Sequence, residues 1–337
     1  MKFSIQLPTC TEGLVNPIPF IEPEKFITVA QEAERLGYDA IWGNDHITPA
    51  SYVKKKWPDP PNFFEVLITL ATVGAHTSRV RLGTALLVLP LRDPVLLAKQ
   101  VSTLDQFTGG RLILGLGIGA YREEFDAQWP MKRKEHRGEL FDESLAALRC
   151  LLTEREASFR GRYIAFEGIA LSPKPRQQPF PIYVGGHNEA AVGRAARFGQ
   201  GWLPGWRPFD EVKERVRLLR RLTSEAGRDP AEVEAAVQFT IYLARTREEA
   251  RSRYRQTGMV QHRVSLAHTG RDPALAEENN LIGSPDSVME QLEFLHRAGV
   301  DHVCALQFPS DSGTEMLEQM QWLAEDVIAP FRQRGSE

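Results

Sequence analysis

The chain has 337 residues, 42% hydrophobic and 25% charged, the composition of an ordinary globular protein with a large core. A formal charge of -3, with Lys54-Lys55-Lys56 as its one basic cluster, argues against a nucleic-acid-binding surface. Cys10, Cys150 and Cys304 are too scattered for a disulfide framework or a zinc site, the start MKFSIQLPTC is too short and polar for a signal peptide, and no apolar run approaches the ~20 residues of a membrane span. The expected setting is the reducing cytoplasm, with a small-molecule substrate and neither membrane nor nucleic acid as partner.

In chain order, short strand-like runs alternate with amphipathic helices. KFSIQL (2–7) reads as the first strand and 23–36 as a helix with Phe26, Ala30 and Ala33 at helical spacing. YDAIW (38–42) is the second strand; a polar, Pro-rich loop over about 43–62 follows, in which Trp57–Pro61 suggests a stiff lid, and then a helix over 63–76. RVRLGTALLVL (79–89) carries the third strand. Asp93-Pro94 opens the next helix, which runs to Phe107, because Asp accepts orphan N–H groups as N-cap and Pro fits the first turn. RLILGL (111–116) is the fourth strand, followed by a glycine loop and a helix over 136–152.

Residues 153–174 break the rhythm, and the alternation within 156–174 predicts a β-hairpin insertion. PIYVGG (181–186), GWLP (201–204) and 233–244 read as strands five to seven, with helices at 188–198 and 208–226 between them. An irregular, partly helical insertion is expected over 247–280, then a helix opened by Ser284-Pro285, strand eight at 301–308 and a last helix over 313–330. Eight strands, each followed by a helix and with no boundary between them, predict a single-domain (β/α)₈ TIM barrel over 1–337 with insertions at about 43–62, 153–174 and 247–280. A doubly wound sheet is the rival.

Gly115, Gly117 and Ala120 spell G-x-G-x-x-A, the letters of a dinucleotide fingerprint. That motif belongs on the first strand of a βαβ unit, where a helix opens at once toward the pyrophosphate. Here it ends the fourth strand, and AYREEFDAQWPMKRKE after it has no clean helical stripe and contains Pro130. In a barrel the same loop lies at the C-terminal mouth, where Gly lets a flat ring or a phosphate approach bare backbone, or lets strands pack closely. The histidines outside the second strand show no ligand spacing such as H-x-x-x-H, so no metal is expected.

Three stretches, Ala40–Ile47 (AIWGNDHI), Val80–Phe125 and Leu171–Pro204, together resemble the bacterial-luciferase-like flavin oxidoreductases. The resemblance implies a barrel with an isoalloxazine-type ring at its mouth. Within the family it points to the branch that uses the deazaflavin coenzyme F-420 (F420), with transfer of a hydride to or from a small organic substrate. FMN-dependent monooxygenases keep a closely similar scaffold and are the alternative. A barrel that binds flavin without catalysis is the alternative from another class.

Carried onto this sequence, His46 is the expected proton handler, and Asp45 is counted with the coenzyme-binding residues, where it fixes loop geometry or accepts a hydrogen bond. Gly83, Thr84 and Ala85 fall where relatives place a bulge, often with a non-prolyl cis peptide, against the ring. Gly117 and Gly119 form a wall, and Gly185, Gly186 and His187 fall where a helix N-terminus meets the coenzyme phosphate. Trp42, Trp202 and Trp206 are candidate pocket walls, and His262 and His268 candidate substrate contacts. The resemblance also implies a homodimer and a separate enzyme that reduces the coenzyme. One departure stands out: sugar-phosphate dehydrogenases of the deazaflavin branch carry a Glu where this chain has Ala120, which disfavours that substrate class.

Overall fold

The computed structural model describes residues 1–334 except Pro58 and Arg271; Pro58, within the expected lid stretch, therefore lies outside the described residues. The elements run β1 (Lys2–Leu7), α1 (Pro23–Arg35), β2 (Ala40–Gly43), α2 (Ser51–Lys56), α3 (Val66–Ala75), β3 (Arg81–Thr84), β4 (Leu87–Val88), α4 (Pro94–Phe107), β5 (Leu112–Gly117), α5 (Arg122–Gln128), α6 (Arg137–Thr153), β6 (Ala157–Arg160) and β7 (Ala165–Ile169). They continue as β8 (Ile182–Gly185), α7 (Glu189–Phe198), β9 (Gly201–Leu203), α8 (Phe209–Glu225), β10 (Glu234–Leu243), α9 (Arg247–Gln256), α10 (Gly258–Ser265), β11 (Leu281–Gly283), α11 (Pro285–Arg297), β12 (His302–Gln307), α12 (Gly313–Leu323) and, after a π-helical turn, α13 (Ala329–Arg334).

Strands β1, β2, β3, β5, β8, β9, β10 and β12 pair in parallel in that order, and β12 pairs back onto β1, so the sheet closes into an eight-stranded barrel. These strands are buried on both faces, which is why they read as nearly continuous apolar runs. Trp42, Tyr183, Ala236 and Cys304 belong to the packed interior. Trp42 fits because residue 83 is glycine: a Cβ there would lie 2.1 Å from the indole ring. The larger core layer lies between the sheet and the outer helices. Helix starts follow the sequence signals. Asp93 accepts the Leu96 N–H at 2.8 Å with Pro94 in the first turn, and Ser284 caps α11 ahead of Pro285.

Four local readings change. The third strand is not continuous over 79–89. Pairing onto β5 steps from Gly83 opposite Ile113 to Leu87 opposite Leu116, four residues against three, so Thr84–Leu86 form a bulge. Its Ala85–Leu86 peptide is cis. The segment after the glycine loop does form a helix, α5, whose short length hides its period. The 43–62 loop contains α2, and the 247–280 insertion is mostly helical, followed by β11, which extends β10 through Ile241–Leu243. The predicted hairpin is β6–β7, an antiparallel pair.

Candidate active site

A cavity of about 530 Å³ opens at the C-terminal ends of the barrel strands. Gln6 near the end of β1, Gly117 at the end of β5, Gly185 at the end of β8 and Gln307 at the end of β12 all reach it. This is the end where barrel loops converge, so side chains from distant parts of the chain meet there.

His46 stands on the cavity wall just beyond β2, with its side chain 17% exposed. Its Nδ1 lies 3.1 Å from Oε2 of Glu124, a residue of α5 that is only 3% exposed. The same carboxylate accepts the Ile47 N–H at 2.5 Å. Phe63 and Tyr121 flank the imidazole at ring-centroid distances of 5.9 and 5.8 Å. With Nδ1 committed to Glu124, Nε2 is the nitrogen that serves the cavity. Sequence reasoning missed Glu124 as a site residue. The partners are 78 positions apart, and the available signal was only a pair of acids soon after a glycine loop.

Asp45 also lines the cavity, but it is buried and its carboxylate is engaged in structural contacts. It accepts the Val88 N–H at 3.0 Å and pairs with Arg92 at 2.5 Å, tying the end of β2 to the turn after the bulge. Burial pushes its carboxyl above the usual range, and Arg92 offsets only part of that rise.

Ala85 and Leu86 of the bulge line the cavity, whereas Gly83 and Thr84 do not. Gly83 backs onto Trp42, and the Thr84 hydroxyl donates to the Gly115 carbonyl at 2.8 Å. Gly117 and Gly185 line the wall for a packing reason: a Cβ would come within 2.8 and 2.2 Å, respectively, of Leu86 Cδ1. The two glycines thus let Leu86 lie across the cavity as an apolar platform. Gly119 has φ +81° and carries the loop through a left-handed turn.

At the end of β8, Gly186 (φ +108°), His187 and Asn188 lead into α7. Trp202 Nε1 donates to the Gly186 carbonyl at 2.7 Å, and Asn188 caps the helix by accepting the Ala191 N–H at 2.9 Å. Arg137 and Arg194 line the same cavity. Arg137 donates to the Gly119 carbonyl at 3.1 Å, and burial lowers its pKa below the ordinary guanidinium value. Arg194 is paired with Asp142 at 2.9 Å. A helix N-terminus beside two guanidinium groups suits a phosphate, and an apolar platform suits a flat ring. The residues present therefore fit a flavin-type coenzyme.

Of the three tryptophans, Trp206 alone faces the cavity; Trp42 and Trp202 are core. His262 and His268 both line it. His268 Nε2 lies 3.2 Å from the Ala120 carbonyl, and the Tyr121 and Ser265 hydroxyls are 3.1 Å apart, so the 247–280 insertion is clasped onto the glycine loop. Among the described residues no group of three His, Cys, Asp or Glu side chains could hold a metal ion, and no helix is long and apolar enough to cross a membrane.

A closed parallel barrel with its site at the C-terminal mouth defines the class, and the family comparison narrows it. Residues 1–302 match the luciferase-like monooxygenase family, and the chain belongs to that family. An uncharacterized protein of Mycobacterium tuberculosis is 33% identical over 213 residues, 60% of this chain and 73% of that one. An F420-dependent glucose-6-phosphate dehydrogenase of Kineococcus radiotolerans is 28% identical, covering 65% of this chain and 64% of its own. An FMNH(2)-dependent dimethylsulfone monooxygenase of Pseudomonas putida is 29% identical, covering 75% and 68%. Among solved structures, monooxygenase RslO1 of Streptomyces bottropensis superposes with a TM-score of 0.79 at 25% identity, covering 98% of this chain and all of its own. An F420-dependent secondary alcohol dehydrogenase superposes at 0.77 and 18% identity, covering 97% and 98%, a likeness of fold.

Proposed function

We propose that this protein is an F420-dependent oxidoreductase that transfers a hydride between the deazaflavin and a small organic substrate. The observation that carries the reading is the His46–Glu124 pair on the wall of a cavity that also holds the Leu86 platform and the α7 cradle. When bound, the coenzyme supplies the hydride-accepting carbon; the protein supplies position and proton handling. The first turn of α7, with Arg137 and Arg194, would hold the phosphate, and Leu86 would back the ring. His46 Nε2 takes the proton of a substrate hydroxyl, or returns it to a carbonyl oxygen, as the hydride moves. Glu124 keeps Nδ1 protonated and stabilises the imidazolium that forms. The relative that acts on glucose 6-phosphate supports the coenzyme; Ala120 leaves sugar phosphates outside the reading.

A second reading has its own support: the FMNH(2)-dependent relative aligns over more of this chain, 75% against 65%. In that case the same cradle would hold reduced FMN delivered by a separate reductase, the bound group would supply oxygen-activating chemistry, and the protein would be a monooxygenase. Titration of the purified protein with each coenzyme, read by fluorescence quenching and melting shift, separates the two. Saturable F420 binding supports the first reading. Tight FMN binding without any response to F420 overturns it.

A further inference from the structure

Arg263 is buried at 6% exposure, reaches the cavity from α10 and has no carboxylate partner among the described residues. Its Nη2 donates to Thr240 Oγ1 at 2.5 Å and to Gln307 Oε1 at 3.0 Å, and the guanidinium lies 5.5 Å from the Trp206 ring centroid. These three groups are neutral, as is the Tyr254 hydroxyl that also lies beside the guanidinium. Its Nε reaches no acceptor. Two other arginines with little exposure are treated differently. Arg92 lies between Asp45 and Glu65, and Arg207 pairs with Glu211 at 2.9 Å. A buried cation without a counter-ion is costly, and an anion that enters the cavity repays that cost.

The surroundings point the same way. Gln6 Oε1, Thr11 Oγ1 and Trp206 Nε1 are buried polar atoms of cavity-lining residues, and none has a partner. Gln6, Thr11 and Gln307 also share the lining of a small adjoining void, and Gln307 links that group to the guanidinium. Asp45, already paired with Arg92, is the one carboxylate among the described lining residues. Burial lowers the Arg263 pKa to about 10, so the group is still a cation at neutral pH.

We propose that Arg263, with Trp206 and Thr11, is the anchor for a carboxylate on the substrate, so that this oxidoreductase acts on an organic acid. The inference rests on the assignment of the α7 end to the coenzyme, which leaves the Arg263 end for the substrate. It makes Arg263 a specificity-determining residue supplied by the 247–280 insertion. Its fork of N–H donors matches a carboxylate, and Trp206 gives that fork a flat face to rest on.

The test measures binding of acetate, benzoate and succinate against acetamide, benzamide and succinamide by calorimetry and melting shift. It uses wild-type protein with and without saturating coenzyme, and the variants R263M and R263K. In the wild type at least one acid binds and its amide does not, with the coenzyme already bound. R263M weakens that acid by about 10- to 100-fold, as loss of a charge-assisted pair requires, while R263K retains part of the affinity. Both variants keep coenzyme binding, read independently by fluorescence. A buried unpaired cation is a stability cost, so R263M melts no lower than wild type. Four results overturn the proposal: no acid binds, amides bind equally well, R263M binds the acid as tightly as wild type, or the coenzyme displaces the acid, which would give the anion site to the coenzyme's own tail. Acid binding with no coenzyme binding would instead overturn the coenzyme assignment and leave the anion site standing.

Discussion

In the proposed reaction His46 depends on Glu124, which contacts the ring at Nδ1 and also holds the Ile47 N–H. H46A is expected to lower kcat by about 10²- to 10⁴-fold, the usual worth of a positioned acid–base group, while coenzyme affinity measured by quenching stays within about threefold. E124Q keeps an acceptor for the backbone but removes the charge that stabilises imidazolium. It is expected to lower kcat/KM by at least about tenfold and to shift the pH profile; an unchanged profile would mean that Glu124 only braces the loop. The glycines divide by what a methyl group would meet. G185A places a Cβ 2.2 Å from Leu86 Cδ1 and 3.1 Å from the Leu116 carbonyl, so it should displace the platform and weaken coenzyme binding. G313A meets nothing within 4 Å and should leave both stability and binding within about 0.5 kcal/mol of wild type.

At the scale of elements, the eight barrel strands were legible because burial on both faces makes them apolar runs between turn residues. The helices opened by Asp93-Pro94 and Ser284-Pro285 were legible from their caps. The break between β3 and β4 was not, because Ala85 and Leu86 keep the run apolar while the pairing gains a residue. The short helices α2 and α5 have six and seven residues, too few turns to show a period, and Pro130 soon after α5 masked it further. Glu124 and Arg263 were illegible as site residues for one reason: each acquires its role from a partner that only tertiary folding brings near. The clasp between the insertion and the glycine loop is a testable element-scale feature. Y121F removes the Tyr121–Ser265 contact, so limited proteolysis within 257–276 should speed up while cleavage elsewhere is unchanged. Equal cleavage rates would show that the other contacts hold the insertion alone.

Across the whole molecule, closure depends on polar groups that seal the strand ends opposite the site. Glu234 at the start of β10 accepts the Tyr183 hydroxyl at 2.6 Å and pairs with Lys2 of β1, joining three strands. Outside the barrel, Glu34 of α1 accepts the Arg79 and Val80 N–H groups at 2.6 and 2.9 Å, tying the helix to the chain entering β3. Burial works to raise both carboxyls, yet these hydrogen bonds hold them below the usual range, Glu34 at about 2 rather than 4.5. A folded-state pKa below the unfolded one stabilises the protein above pH 4.5, and that stability is lost as pH falls toward 2. E34Q should therefore unfold more easily than wild type near neutral pH, by denaturant titration, with the gap closing as pH drops through this window. A gap that stays constant would show that Glu34 contributes through packing and not through its charge.

In the proposed arrangement one cavity would hold a flavin-type ring against Leu86, its phosphate on α7 and His46 at the reacting edge. A crystal structure of the protein with F420 bound tests all three at once. The expected result is density for the phosphate within hydrogen-bond distance of the Gly186–Glu189 backbone, the ring on Leu86 and His46 Nε2 facing the ring's reactive carbon. A coenzyme bound with its phosphate away from α7, or with its reactive edge turned from His46, would contradict this placement.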